Sequence, residues 1–276
     1  MPDVAEQPRD EHGRFATTGG SGLSQWASKR AGESPGKVIA QAQTRQAPKP
    51  LFDSKEYAKL PDAISQPDKD PTKLYEHAKV AFTEQLNTLD NGKGLEKAIG
   101  ATVIRNDKGE ELDLSKPGPV IVIGSIKSRE RAEEKVMADY HGDWSRVGDI
   151  VRATVAVDSY AQLGQVAAQL QKQGIELARK PKDRFSNPTD SGYRDALLNV
   201  KYSNGHVGEL QLHLKPMLAA KSEGHKFYEK VRSIEASAKK EGRTKLTSSE
   251  LKIVNEATAK DKALNERAWK KATSSS

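Results

Sequence analysis

KDRFSNPTDSGYRDALLNVKYSNGHVGELQLHLKPMLAAKSEGHKFYEKVR, residues 182–232, decides the fold. It divides into a charged loop, two strands joined by a tight turn, and a helix. Asn204-Gly205 marks the turn, because both residue types accept the positive φ that a short hairpin connection requires. ALLNVKY precedes it and HVGELQLHL follows. In the second run Leu210, Leu212 and Leu214 alternate with Glu209, Gln211 and His213, so an apolar face backs a polar one. A half-exposed strand with a solvated outer face shows the same alternation. The next segment adds to it. Met217, Ala220, Gly224, Phe227, Val231 and Ile234 recur at spacings of three and four, the stripe of a buried helix face. Lys221, His225 and Arg232 follow a neighbouring line, so the helix sets cations beside the polar strand face. A carboxylate facing a row of bases suits a metal-bound polyphosphate.

Working outward, Pro119–Gly124 (PVIVIG) is a short apolar run that predicts a buried strand. A helix is expected from Ser128 to Tyr140 with Ala132, Val136 and Tyr140 inward, and Lys127, Arg131 and Lys135 form a cationic row on another face. Gly148–Asp158 (GDIVRATVAVD) has the composition of a central strand. Asp149 and Arg152 are costly to bury there alone, so each is expected to be paired or to hold a metal or phosphate. Tyr160–Gly174 predicts an amphipathic helix through Leu163, Val166, Ala167 and Leu170, stopped by Gly174, and Ile175–Ala178 a strand. Upstream, Pro71 opens a helix with Leu74, Ala78, Ala81, Phe82 and Leu86 on one face, ended by Asn91-Gly92. Downstream, Thr247–Lys271 is a polar helix anchored by Leu251, Val254, Leu264 and Trp269. Alternating strands and helices followed by a hairpin and a helix predict an α/β (α+β) fold, a mixed β-sheet flanked by helices.

Hydrophobic residues make up 35% and charged residues 30% of the chain, low and high for a fully packed domain, so part of the length is expected to be tail or exposed helix. Residues 1–50, rich in Gly, Ser, Gln and Pro, predict a disordered or extended arm. Residues 51–115 read as a helical N-terminal extension, 116–235 as the main domain, and 236–276 as a basic C-terminal helix and tail. The absence of cysteine excludes disulfides and thiolate metal sites. No apolar run reaches the roughly 18–20 residues that span a bilayer, and the polar N-terminus lacks the core of a secretory signal. A cytoplasmic protein with no membrane partner is expected. The net charge is +7, and the whole excess lies from Lys215 onward, a tract suited to polyphosphate or nucleic acid or simply to a solvated helix.

Gly192-Tyr193, Glu209-Leu210-Gln211-Leu212, Met217, Ala220, Gly224 and His225 resemble, in this order, the synthetase signature of the RelA/SpoT-type alarmone synthetases, G-Y-x-S-x-H followed by E-[VI]-Q-[IL]-R-T-x-x-M. KDRF, GYRD and ELQLHLKPM are closer to the divergent phage-encoded and toxin-like branch. The resemblance covers roughly residues 120–235 and implies a nucleotidyltransferase-like synthetase fold. It also implies a reaction, transfer of the β,γ-pyrophosphate of ATP to a nucleotide 3′-hydroxyl with Mg2+ as cofactor. Asp149 and Glu209 then become the metal-binding and catalytic carboxylates, with Glu209 also placed to draw the acceptor proton. Lys127, Ser128, Arg131, Lys135, Arg152, Lys182, Arg184, Lys221 and His225 become the ATP and phosphate contacts. Tyr193, Gln211 and His213 become the acceptor contacts, with Tyr193 stacking on the base. The sequence departs from the pattern in three places. Arginine stands at 152 where the pattern would put it at Thr154, His213 replaces an arginine, and Arg194-Asp195 replaces Gln-Ser.

The last two departures lie toward the acceptor, which stays open between GDP or GTP, an adenine nucleotide, and the 3′ end of tRNA gripped by the basic helices. Arg9–Phe15 (RDEHGRF) resembles a segment of phage head and portal-associated proteins. That leaves a further alternative, a virion-associated module that binds nucleotide or nucleic acid without catalysis, although two metal carboxylates exceed what such a module needs. An antitoxin or phage structural partner is compatible with either reading. The His-Asp motif of the hydrolase half of long RelA/SpoT proteins is absent.

Overall fold

A computed structural model describes residues 49–53, 55–106 and 113–274. The arm expected at 1–50 therefore lies almost wholly outside the described residues. The first helix, α1 (Pro71–Leu89), starts where Asp70 Oδ1 accepts the Thr72 and Lys73 amides at 2.8 and 3.0 Å and proline fills the first turn. A short helix, α2 (Leu95–Ile99), leads into β1 (Thr102–Asn106). Then come β2 (Val120–Gly124), α3 (Arg129–Tyr140), β3 (Arg152–Val157), α4 (Tyr160–Lys172), β4 (Glu176–Leu177), β5 (Lys182–Asp183), β6 (Ala196–Lys201), β7 (Val207–Leu214), α5 (Lys215–Lys240) and α6 (Ser248–Ser274).

The strands form one mixed sheet in the order β1-β2-β3-β7-β6-β4, with β5 also on β6. β1 runs parallel to β2 and β3 parallel to β7, whereas β2–β3 and β6–β7 are antiparallel. The predicted hairpin is present: Gly205, at φ 81°, donates its amide to Tyr202 O at 2.8 Å. The sheet corrects one expected boundary. Residues 51–115 are not only helical, because Thr102–Asn106 supplies an edge strand paired to β2, and Leu74, Ala78 and Ala81 of α1 belong to the same core as the sheet.

Ile121, Ile123, Val155, Leu198, Leu210 and Leu212 are buried in that core together with Leu163, Val166, Ala167 and Leu170 of α4. A capping box opens α4, Ser159 accepting the Gln162 amide while Gln162 reaches back to the Ser159 amide. The segment before α1 is tied to the sheet end by Gln66, which donates to Val147 O and Val207 O at 2.6 and 2.8 Å and accepts from Val207 N at 2.9 Å. Helices α5 and α6 pack along each other. Gly224 permits this, since a Cβ there would lie 2.4 Å from Asp261 Oδ1. Leu264, Ala268 and Ala272 carry α6 back onto the domain core, where Trp269 meets the fully buried ring of Phe185. Among the described residues no helix is long and apolar enough to cross a membrane.

Candidate active site

β3 and β7 are register neighbours, pairing Arg152 with Glu209, Thr154 with Gln211 and Ala156 with His213. Paired residues point to the same side of a sheet, so the polar set of β7 shares its face with Arg152. Gly124 lies beneath Arg152, whose Nε would be 3.3 Å from an added Cβ.

Asp149 lies just ahead of β3 and is well shielded, its side chain 14% exposed. Lys127 is held next to it by its amide, which donates to Ile150 O at 2.9 Å. Asp149 Oδ2 takes both Lys127 Nζ at 2.5 Å and Lys135 Nζ at 3.0 Å. Asp149 Oδ1 is buried without a hydrogen-bond partner among the described residues. Burial alone would raise this carboxyl, but the two ammonium groups more than offset it and hold its pKa at about 2. Burial, with the charges of Lys135 and Arg152, draws the Lys127 ammonium below its usual range. Burial acts the same way on Lys135, yet Asp149, Tyr140 and Glu209 together keep that ammonium above it. At neutral pH Asp149 is thus an ionised carboxylate held between two lysines, with one oxygen lacking a partner among the described residues.

A second group lies toward β6. Asp195, with no accessible surface, takes Arg184 Nε on Oδ1 at 2.5 Å and Arg184 Nη2 on Oδ2 at 3.0 Å. Its Oδ2 also accepts the Tyr193 hydroxyl at 2.9 Å. Burial would raise Asp195, but the guanidinium keeps it below the usual carboxylate range. His213 Nε2 lies 3.3 Å from the Tyr193 hydroxyl and 3.1 Å from Gln211 Oε1. Lys221 Nζ reaches the same Gln211 oxygen at 2.9 Å, and Gln211 Nε2 donates to Glu209 Oε1 at 2.6 Å. Arg184 and Lys221 sit 5.9 and 5.7 Å from the Tyr193 ring centroid. Glu209 joins the two groups: Lys135 on one side and Lys221 on the other both feel its charge.

The structure therefore brings together Asp149, Lys127, Lys135, Arg152, Glu209, Gln211, Lys221, Tyr193 and Arg184, and Lys182 pairs in register with Leu197, the neighbour of Gln211. Four of the expected contact residues are placed or engaged differently. His213 has no accessible surface, so it reaches an acceptor only through Tyr193 and Gln211. Ser128 is the N-cap of α3, its hydroxyl accepting the Arg131 amide at 3.4 Å. Arg131 is exposed on α3, while the next turn places Lys135 at the site. His225 lies 3.8 Å from Glu229 and packs by Tyr228 of its own helix, with its side chain 67% exposed. The residue that sequence reasoning missed is Asp195. Its signal was a lone carboxylate immediately before the apolar run ALLNV. A cavity of about 360 Å3 lies elsewhere, lined by Gln85, Leu89, Ile175, Val200 and Leu210, and Leu210 points away from the face that carries Glu209.

Among the described residues no three His, Asp or Glu side chains could hold a metal by themselves. The unpartnered Asp149 oxygen, with Glu209 near enough for Lys135 to feel both charges, nevertheless fits a hard divalent cation that completes its shell with substrate phosphates.

The parallel pair β3 and β7 thus sets Arg152 beside Glu209, with Asp149 just ahead of β3; no family model matches the chain, and what it shares with solved alarmone synthetases is the fold. The (p)ppApp synthetase toxin Tas1 of Pseudomonas aeruginosa (strain UCBPP-PA14) is 33% identical to it over 107 residues, 39% of this chain and 23% of the relative. The chain thus spans less than a quarter of the length of the curated relative it matches. The solved complex of the type VI effector Tas1 with its immunity protein contains a chain that shares the fold, with a TM-score of 0.50 and 23% identity over 72% of this chain and 96% of that one. The small alarmone synthetase 1 of Bacillus subtilis bound to pppGpp gives a TM-score of 0.42 at 14% identity over 74% of this chain and 96% of that one.

Proposed function

We propose that the chain is an ATP-dependent pyrophosphokinase whose acceptor is a nucleotide 3′-hydroxyl. The observation that carries this reading is the Asp149 carboxylate, with Lys127 and Lys135 on one oxygen and the other without a partner, beside the strand that presents Glu209. Phosphoryl-type transfer asks for little more than neutralised phosphates and an acceptor oxygen in line.

In this reading Lys127, Lys135 and Arg152 hold the triphosphate of ATP. The acceptor oxygen forms a bond to the β-phosphorus, the bond from that phosphorus to the α,β-bridging oxygen breaks, and AMP leaves. Glu209 takes the hydroxyl proton, held in orientation by Gln211. Tyr193, Arg184 and Lys221 form the acceptor wall. Asp149 and Glu209 would hold magnesium, which supplies charge neutralisation on the phosphates.

The sequence likeness to a (p)ppApp synthetase toxin supports an adenine nucleotide as acceptor. It also supports action in the cytoplasm as a growth-inhibiting effector, and the Tas1 complex with its immunity protein supports a neutralising partner for this chain. The test is to incubate the protein with ATP labelled at the γ-phosphate, magnesium, and separately AMP, ADP, ATP, GDP, GTP and bulk tRNA. Label is expected on an adenine nucleotide with AMP released, and Glu209→Gln is expected to lower the rate by about a hundredfold or more with an unchanged melting temperature. Label on tRNA alone would replace the acceptor, and folded protein that transfers nothing in any tube would overturn the reading.

A further inference from the structure

The second group of the site has a direction as well as a geometry. Asp195 sits at the mouth of a buried apolar strand, where a carboxylate is retained only if it is fully paired. Both of its oxygens are engaged by Arg184, and Oδ2 also faces the Tyr193 hydroxyl. An ionised carboxylate only accepts, so the single phenolic proton must point to Asp195. The Tyr193 oxygen and Gln211 Oε1 are then both acceptors toward His213 Nε2, which must carry the imidazole proton. That leaves Nδ1 as a bare lone pair, consistent with its having no partner. Gln211 Oε1 is filled by His213 and Lys221, so the amide nitrogen is the end that reaches Glu209.

We propose that Asp195 is a positioning residue whose fixed charge holds the Tyr193 proton toward itself, sets the His213 tautomer through that phenol, and keeps Arg184 and Tyr193 in place as the acceptor wall. An amide at 195 could donate to the phenol, whose proton would then turn to His213 Nε2 and leave the imidazole proton on Nδ1, while Gln211 keeps its orientation because the Lys221 ammonium only donates to it and the Glu209 carboxylate only accepts from it. The inference rests on the reading of Tyr193 and Arg184 as the acceptor wall, and the test separates the two.

Asp195→Asn is compared with wild type in transfer from ATP to ADP and to GDP, with the double variant Arg184→Gln/Asp195→Asn alongside in case a lone buried guanidinium prevents folding. The expected result in either variant is a rise of about tenfold in the KM for the acceptor, the scale of one lost hydrogen bond to a charged group. The KM for ATP should stay within about twofold. An equal rise of both KM values together with a loss of thermal stability would reduce Asp195 to a packing role. Independently of activity, 15N spectra of His213 are expected to show the Nε2–H tautomer in wild type and a mixture in the variant. A wild-type Nδ1–H tautomer would overturn the proposal even in an active enzyme. Failure of wild type to transfer pyrophosphate would instead remove the enzymatic reading.

Discussion

At the scale of single residues, two buried groups with depressed pKa values act on stability in different pH windows. Asp149 is held at about 2 against an ordinary 3.8. Its contribution is fully present above pH 4 and is lost as pH falls toward 2, on the order of 2 kcal/mol in all. His213 is neutral in the fold, burial and then Lys221 driving its pKa from 6.5 to about 3. Below pH 6.5 the unfolded chain takes up a proton that the fold refuses, so stability falls by roughly 1.4 kcal/mol per pH unit down to pH 3. Buried His206, lowered to about 4 by burial and by His77, adds a similar slope. Urea unfolding at pH 7, 6 and 5 is therefore expected to lose stability steeply, and His213→Gln should remove close to half of that slope. An unchanged slope would show that the imidazole is not the group that titrates. Much of this site was legible in the sequence. Asp149 and Arg152 are charges in a run with the composition of a central strand, and such charges need partners, while Lys127 and Lys135 stood out as a cationic row and Glu209 as part of the polar face of its strand. What the sequence could not show is the division of partners, two lysines on one oxygen and none on the other, because that depends on side chains 14 and 22 residues apart converging.

At the scale of elements, the placement of Glu209 depends on how closely β7 approaches β3. Gly208 makes that approach possible: a Cβ there would stand 2.9 Å from both the Val151 carbonyl and the Tyr202 ring. The Glu209 amide, one residue on, donates to the same carbonyl at 2.8 Å. Gly208→Ala is expected to push β7 from β3 and cost about 1–3 kcal/mol, seen as a fall of several degrees in Tm, with transfer activity falling more than stability because Glu209 moves with the strand. An alanine variant of unchanged Tm and activity would mean that the close approach is not needed. The hairpin, α1, α3, α4 and the stripe of α5 were readable from period and caps, since each is determined by local spacing. β1 and β5 were not. Two-residue β5 is made a strand only by pairing with β6, and β1 depends on an edge offered by β2, so neither has a sufficient local signal.

At the scale of the whole molecule, the C-terminal hairpin of α5 and α6 is part of the domain rather than an appendage. Trp269 lies 6.2 Å from the Phe185 ring centroid and 4.4 Å from the Arg194 guanidinium, while Arg194 also donates to Phe185 O. Asn265 Nδ2 donates to Ser191 O at 3.0 Å. The last helix thus braces the loop that carries Tyr193 and Arg184. Trp269→Ala is expected to cost about 3 kcal/mol or more, lowering the unfolding midpoint in urea, and to weaken acceptor binding while the ATP side is left unaltered. Equal weakening of both substrates would contradict the division of the site into two groups. The sequence by itself determined a mixed sheet, from its alternating and 3.6-periodic runs, and its motif order carried the resemblance on which the proposed phosphate chemistry rests, because these features are local or recur along the chain. Only the tertiary structure decided that Asp149 keeps a free oxygen, that His213 is sealed away while Asp195 holds Arg184 and Tyr193, and that α6 closes over the loop. Those facts depend on which distant side chains share a face and how deeply they are shielded from water, and no local pattern encodes either.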